Sequence, residues 1–209
     1  MNLTNRISIT VGLFAVAALA PAQTLTFTGM NLNNAATGTV KLDSTSLTVR
    51  IGALNFTDGT KSIMTYCADL ASPLNWSSHN YNQSIVNFGD NTGLGLAAKI
   101  LAVNYDVANN ADKQAGLQLA IWSALYDNGA TFDANGTHFK VLSGVSGTAL
   151  GFASSYYLAG ASSSPTNMVE LFATTANGGQ SQMHAVPEPA SLAILGLGIA
   201  GVLRRKMKR

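Results

Sequence analysis

The stretch Leu94-Gly95-Leu96-Ala97-Ala98-Lys99-Ile100-Leu101-Ala102-Val103 interrupts the texture of the chain around it. Leu94, Ala97, Ala98 and Leu101 recur at the spacing of one helix face. Leu96, Ile100 and Val103 supply a second face, so the spacing predicts a well-buried helix over 94–107. Asn109-Asn110 breaks it, and Asp112 is placed to cap a second helix that runs to Tyr126 and ends at Asp127-Asn128-Gly129. What precedes this pair reads as strand. Residues 24–30 alternate Leu25 and Phe27 with threonines, and 39–42 and 47–54 continue in that style with β-branched residues. Residues 62–66 form a further strand that ends at Cys67, and 81–88 another. Beyond the pair come a short strand over 138–142, a helix over 149–159 and a closing strand over 168–173. The expectation is an α+β fold: a β-rich secreted domain with an inserted helical pair.

The two ends of the chain read differently from this body. Arg6 precedes an apolar run over 7–19, and the small residues Ala20-Pro21-Ala22 follow in the A-x-A pattern of a cleavage site. Residues 1–22 therefore read as a secretory signal peptide. At the other end Pro187-Glu188-Pro189 is followed by the apolar stretch 190–203 and then by Arg204-Arg205-Lys206-Met207-Lys208-Arg209. As a helix that stretch is about 21 Å long, short of a hydrocarbon core of about 30 Å, with a basic tail suited to the cytoplasmic side.

This ordered tail, 186–209, resembles the PEP-CTERM sorting signal of Gram-negative bacteria. The resemblance implies handling by an exosortase-type processing enzyme, transient membrane anchoring through 190–203, and a destination in the cell envelope, at the cell surface or in an extracellular matrix.

Between the signals lies one domain, 23–185. The whole chain carries a formal charge of +2, yet the body holds six basic residues against nine acidic ones, a net charge of −3. The basicity thus belongs to the sorting segments, and the electrostatic footprint of nucleic-acid binding is missing. The three histidines, His79, His138 and His184, lack metal-ligand spacing. No glycine-rich phosphate loop follows a strand, so no metal or cofactor is expected.

Cys67 is the single cysteine of a chain built for export, where cysteines usually occur in pairs. It cannot form an internal disulfide and is a free thiol, an intermolecular partner or a chemically special group. On the second helix Gln118, Ile121, Trp122 and Leu125 share one face, so a primary amide lies among large apolar side chains. A buried amide without partners costs about 1–3 kcal/mol; geometry alone favours a rim position with a bond to a loop.

Tyr66-Cys67-Ala68-Asp69-Leu70 together with Leu117-Gln118-Leu119-Ala120-Ile121-Trp122 resembles the thioester domains of bacterial surface adhesins. The resemblance covers roughly 63–127 and departs at Leu117, where that family often has threonine. It implies a cross-link between Cys67 and Gln118, in an environment set by Tyr66, Asp69, Ile121 and Trp122. Such a bond forms by attack of a thiolate, so the thiol is expected to be lowered in pKa or deprotonated locally. Once formed it is a single-use electrophile that attaches the protein to a ligand bearing a nucleophilic amine, on a protein lysine or a polysaccharide. That is a binding role and not an enzyme's turnover. Two other readings stand beside it: an unreactive structural matrix protein with Cys67 buried as a small hydrophobe, and a hydrolase with His79 or His138 as base and Asp69 or Asp133 as its orienter.

Overall fold

The computed structural model describes residues 22–31, 35–74, 77–174 and 179–186. The signal peptide read at 1–22 and the sorting segment, with Pro187, Glu188, Pro189 and the run 190–203, lie outside these residues except at their inner ends. No helix among the described residues is long and apolar enough to cross a membrane.

Nine strands and three helices are described: β1 (Gln23–Met30), β2 (Ala36–Leu42), β3 (Thr45–Ile51), β4 (Leu54–Thr57), β5 (Ser62–Cys67), β6 (His79–Ile85), α1 (Gly93–Asn104), α2 (Ala111–Tyr126), β7 (Phe139–Ser143), α3 (Gly147–Ser162), β8 (Met168–Thr174) and β9 (Gln182–Val186). Six strands close an antiparallel barrel in the order β1-β4-β5-β9-β8-β6, and β3-β2-β7 make a separate sheet. The α+β plan holds.

Alternation along the barrel strands sorts their side chains into two cores. Leu25, Phe27, Leu54, Phe56, Ile63, Tyr81 and Phe172 fill the barrel. Tyr66, Val169, Met183 and Ala185 point out of it, into a larger core shared with the helices and with Val40, Ile51 and Phe139 of the second sheet. The helices are thus held between the two sheets.

Four details depart from the sequence reading. The strand expected over 47–54 is two, because Gly52 takes φ +150°, a backbone that residues with a Cβ rarely adopt. The cap of α2 is Asn110, whose Oδ1 accepts from Lys113 N at 2.9 Å; Asp112 instead lies in the first turn and accepts from Ser146 Oγ at 2.6 Å. The helical pair is a trio, since α3 packs on both α1 and α2; a Cβ on Gly160 would come within 2.5 Å of Ile100 Cα, so only glycine allows this approach. The strand at 168–173 does not close the fold: β9 follows it, pairing with β8 and with Tyr66 and Cys67 of β5.

Candidate functional site

The register of β4 on β5 sets Leu54 opposite Thr65, which would put Gly52 opposite Cys67. The chain leaves the barrel at Gly52, so the main chain of Cys67 lacks a strand partner on that edge. Gln118 of α2 takes the vacant place. Its Oε1 accepts from Cys67 N at 2.9 Å, and its Nε2 donates to Cys67 O at 2.9 Å. The amide thereby pairs as a strand residue would. Gln118 is 1% exposed and Cys67 3%, so the pairing is desolvated, and the rim position favoured by sequence geometry is wrong. The helix brings the amide here because Ile121, one turn on, is packed in the core and fixes the rotation of α2.

The opposite edge of Cys67 pairs with Gln182 of β9. Behind it runs a polar chain that the sequence reading missed. Thr65 Oγ1 donates to Gln182 Oε1 at 3.1 Å, Gln182 Nε2 donates to Gln180 Oε1 at 3.1 Å, and Gln180 Nε2 donates to Ser72 O at 3.3 Å. The alternation of Met183 and Ala185 with Gln182 and His184 was the available signal for this strand. The chain after Cys67 is shaped by Asp69, whose Oδ1 accepts from Ala71 N at 3.0 Å and Ser72 N at 3.2 Å. Leu70 N donates to Tyr126 Oη at 2.7 Å.

The electrostatics run against the expected activation of the thiol. Burial pushes Cys67 up to about 12, opposed by the Asp69 backbone N–H and the Trp122 indole and reinforced by the Asp69 carboxylate. A thiolate is therefore scarce at neutral pH. Trp122 Nε1 is buried and closes no hydrogen bond among the described residues. Tyr66 lies on the other face of β5, edge-on to Tyr105 at 6.4 Å. Burial raises its phenol strongly, and its hydroxyl also has no partner among the described residues.

Cys67, Gln118 and Trp122 meet at the wall of a cavity of about 770 Å³, bounded further by β3, the end of β1 and residues 70–74. Of the residues singled out in the sequence, these three share the cavity, whereas Tyr66, Asp69 and Ile121 do not line it. A cysteine–histidine pair is not assembled: His138 Nδ1 sits 2.7 Å from Asp43 Oδ1, His79 Nε2 sits 3.2 Å from Ser77 Oγ, and neither lines the cavity.

Chemically, the two bonds hold the Gln118 amide in one orientation, and the first of them can serve an acyl transfer. An N–H on the amide oxygen polarises the carbonyl and meets the charge that develops on it, at the 2.7–3.1 Å separation typical of such donors. The bond from Nε2 to Cys67 O fixes the nitrogen that would leave.

Among solved structures, the N-terminal thioester domain of a surface protein from Clostridium perfringens is similar, with a TM-score of 0.43 and 12% identity over 63% of this chain and 86% of that one. A search of curated proteins finds no match. Residues 185–209 match the PEP-CTERM protein-sorting motif, and this chain accordingly carries a signal that marks proteins exported to the cell surface or extracellular space.

Proposed function

We propose that this exported protein attaches itself covalently to an amine-bearing ligand through a thioester between Cys67 and Gln118. The observation that carries the reading is the two-point pairing of the Gln118 amide with the main chain of Cys67, at 2.9 Å on each side, beside a cavity open to a ligand. In the first step Cys67 Sγ bonds to Gln118 Cδ, the Cδ–Nε2 bond breaks, and the thiol proton leaves with the nitrogen as ammonia. In the second a ligand amine bonds to the same carbon, the C–S bond breaks, and the amine's proton passes to sulfur. The high thiol pKa slows the first step, because little thiolate is available; held proximity and the polarised carbonyl offset this.

The C-terminal signal sets the context: processing by an exosortase-type enzyme near Pro187-Glu188-Pro189, a transient stay of 190–203 in the inner membrane, and a final place in the envelope or matrix of a Gram-negative bacterium. Each protein reacts once, so the role is that of an adhesin and not an enzyme.

The second reading is an unreactive matrix protein. It draws support from the same site, since a thiol pushed to about 12 and an amide hydrogen-bonded at both its oxygen and its nitrogen also describe a structural joint. Labelled methylamine separates the two. Stoichiometric, stable incorporation at Gln118, lost in Cys67→Ala, supports the thioester; an inert folded protein supports the joint.

A further inference from the structure

Strand β3 is the edge of its sheet. It pairs with β2 along its whole length, from Ala36 opposite Ile51 to Leu42 opposite Thr45, and among the described residues no strand lies on its other side. Leu47, Thr48, Val49 and Arg50 all line the cavity that holds Cys67 and Gln118. Successive strand residues point to opposite faces, so four in a row share a wall only where the cavity runs along the strand's main-chain edge.

Apart from the exposed Arg50, nothing in this strand guards that edge. Its sequence, Thr45-Ser46-Leu47-Thr48-Val49-Arg50-Ile51, has no proline, no lysine and no inward charge, the usual means by which edges are closed to pairing. Arg50 is exposed and is the sole charged side chain among those lining the cavity. It has no ion pair among the described residues. The cavity thus offers a main-chain template and a free cation on one side, and on the other the amide carbon with an unpartnered Trp122 N–H.

We infer that the edge of β3 receives an extended peptide segment of the ligand, pairing main chain to main chain, with an acidic side chain against Arg50 and an amine side chain turned into the cavity toward Gln118. A row of backbone N–H and C=O groups is matched by another polypeptide and poorly by a polysaccharide. The delivery of the amine rests on the thioester reading; the docking does not.

The probe is a fluorescent peptide of sequence Thr-Glu-Val-Lys-Val-Glu-Thr with blocked ends. Full-length Cys67→Ala protein, which cannot form a thioester, is titrated against it by fluorescence anisotropy. Saturable binding is expected, weakened roughly tenfold by N-methylation of alternate peptide residues, which removes strand pairing, and by Arg50→Glu, which opposes like charges. An arginine-for-glutamate peptide should recover binding to the Arg50→Glu protein. With wild-type protein, the peptide should form its adduct about tenfold faster than N-acetyl-lysine methylamide, by the effective concentration that docking confers.

Absent binding, or binding indifferent to both N-methylation and Arg50→Glu, overturns the docking, as does a second copy of the chain occupying the edge as a dimer. Docking without any adduct, from peptide or from methylamine, leaves the inference standing and removes the thioester. A methylamine adduct with no advantage for the peptide does the reverse.

Discussion

Inside the barrel, Phe27, Phe56, Tyr81 and Phe172 pack edge to face in a continuous series, with centroids 5.5, 6.2 and 6.4 Å apart. At the seam between α2 and the end of β5, burial is just as complete, but Gln118, Thr65 and Gln182 are polar and Cys67 is a thiol. The first region is held by apolar area and ring geometry. The second is held by paired polar groups, each of which would be costly alone. An apolar core of the first kind would close the fold with less risk. The seam differs because β4 begins at Leu54, two residues past the position that would face Cys67, and an amide from another element completes the ladder.

The contrast can be broken from either side. Phe56→Ala in the barrel should have the largest effect, a loss of about 3–5 kcal/mol from lost burial and a cavity, read by urea denaturation. In the fraction that remains folded, methylamine labelling should be unchanged. Gln118→Leu keeps apolar volume but strands one N–H and one C=O of Cys67, with an expected loss of about 2–4 kcal/mol. Labelling should vanish with it. If Gln118→Leu proves as stable as the wild type, the amide is not a structural partner and the comparison fails.

The thiol supplies a test by pH. Cys67 has a raised pKa in the fold, so the folded chain holds its proton more tightly than the unfolded chain. That contribution is full below the ordinary value of 9.0 and is lost as pH rises towards about 12. Once methylamine has freed the thiol, stability should fall over this range by a few kcal/mol more than in Cys67→Ala, measured by denaturation at each pH. Equal slopes would mean that the sulfur is solvated.

Two further substitutions sharpen the site. Trp122→Phe keeps a ring and removes an N–H that has no hydrogen-bond partner among the described residues, so stability should change by about 1–2 kcal/mol, mainly through lost volume. The rate of labelling should drop if the indole N–H steadies the departing sulfur. His138→Ala should leave labelling untouched, since its partner is Asp43 and not Cys67; a loss of reactivity there would revive a cysteine–histidine mechanism.

Much of this contrast was legible in the chain. Periodicity found α1, α2 and α3 and most strands, because amphipathic spacing is local. The odd polar group at Gln118 stood out on its helix face for the same reason. What stayed hidden depended on pairing. The break at Gly52 follows from a positive φ inside an otherwise strand-like run. Strand β9 stood beside the sorting segment, where a short polar alternation is easily read as a linker. The raised thiol pKa follows from burial by elements distant in sequence, so the tetrad of Tyr66, Cys67, Ala68 and Asp69 gave no warning of it.

Whether the seam is a joint or a reactive bond is decided most directly by the intact mass of freshly purified, folded protein beside Cys67→Ala processed in the same way. The account predicts a wild-type mass one ammonia below that of its termini, restored to a methylamine adduct on treatment, with neither change in the variant. A wild-type mass that matches its sequence, with one titratable thiol on unfolding and no adduct, would contradict it.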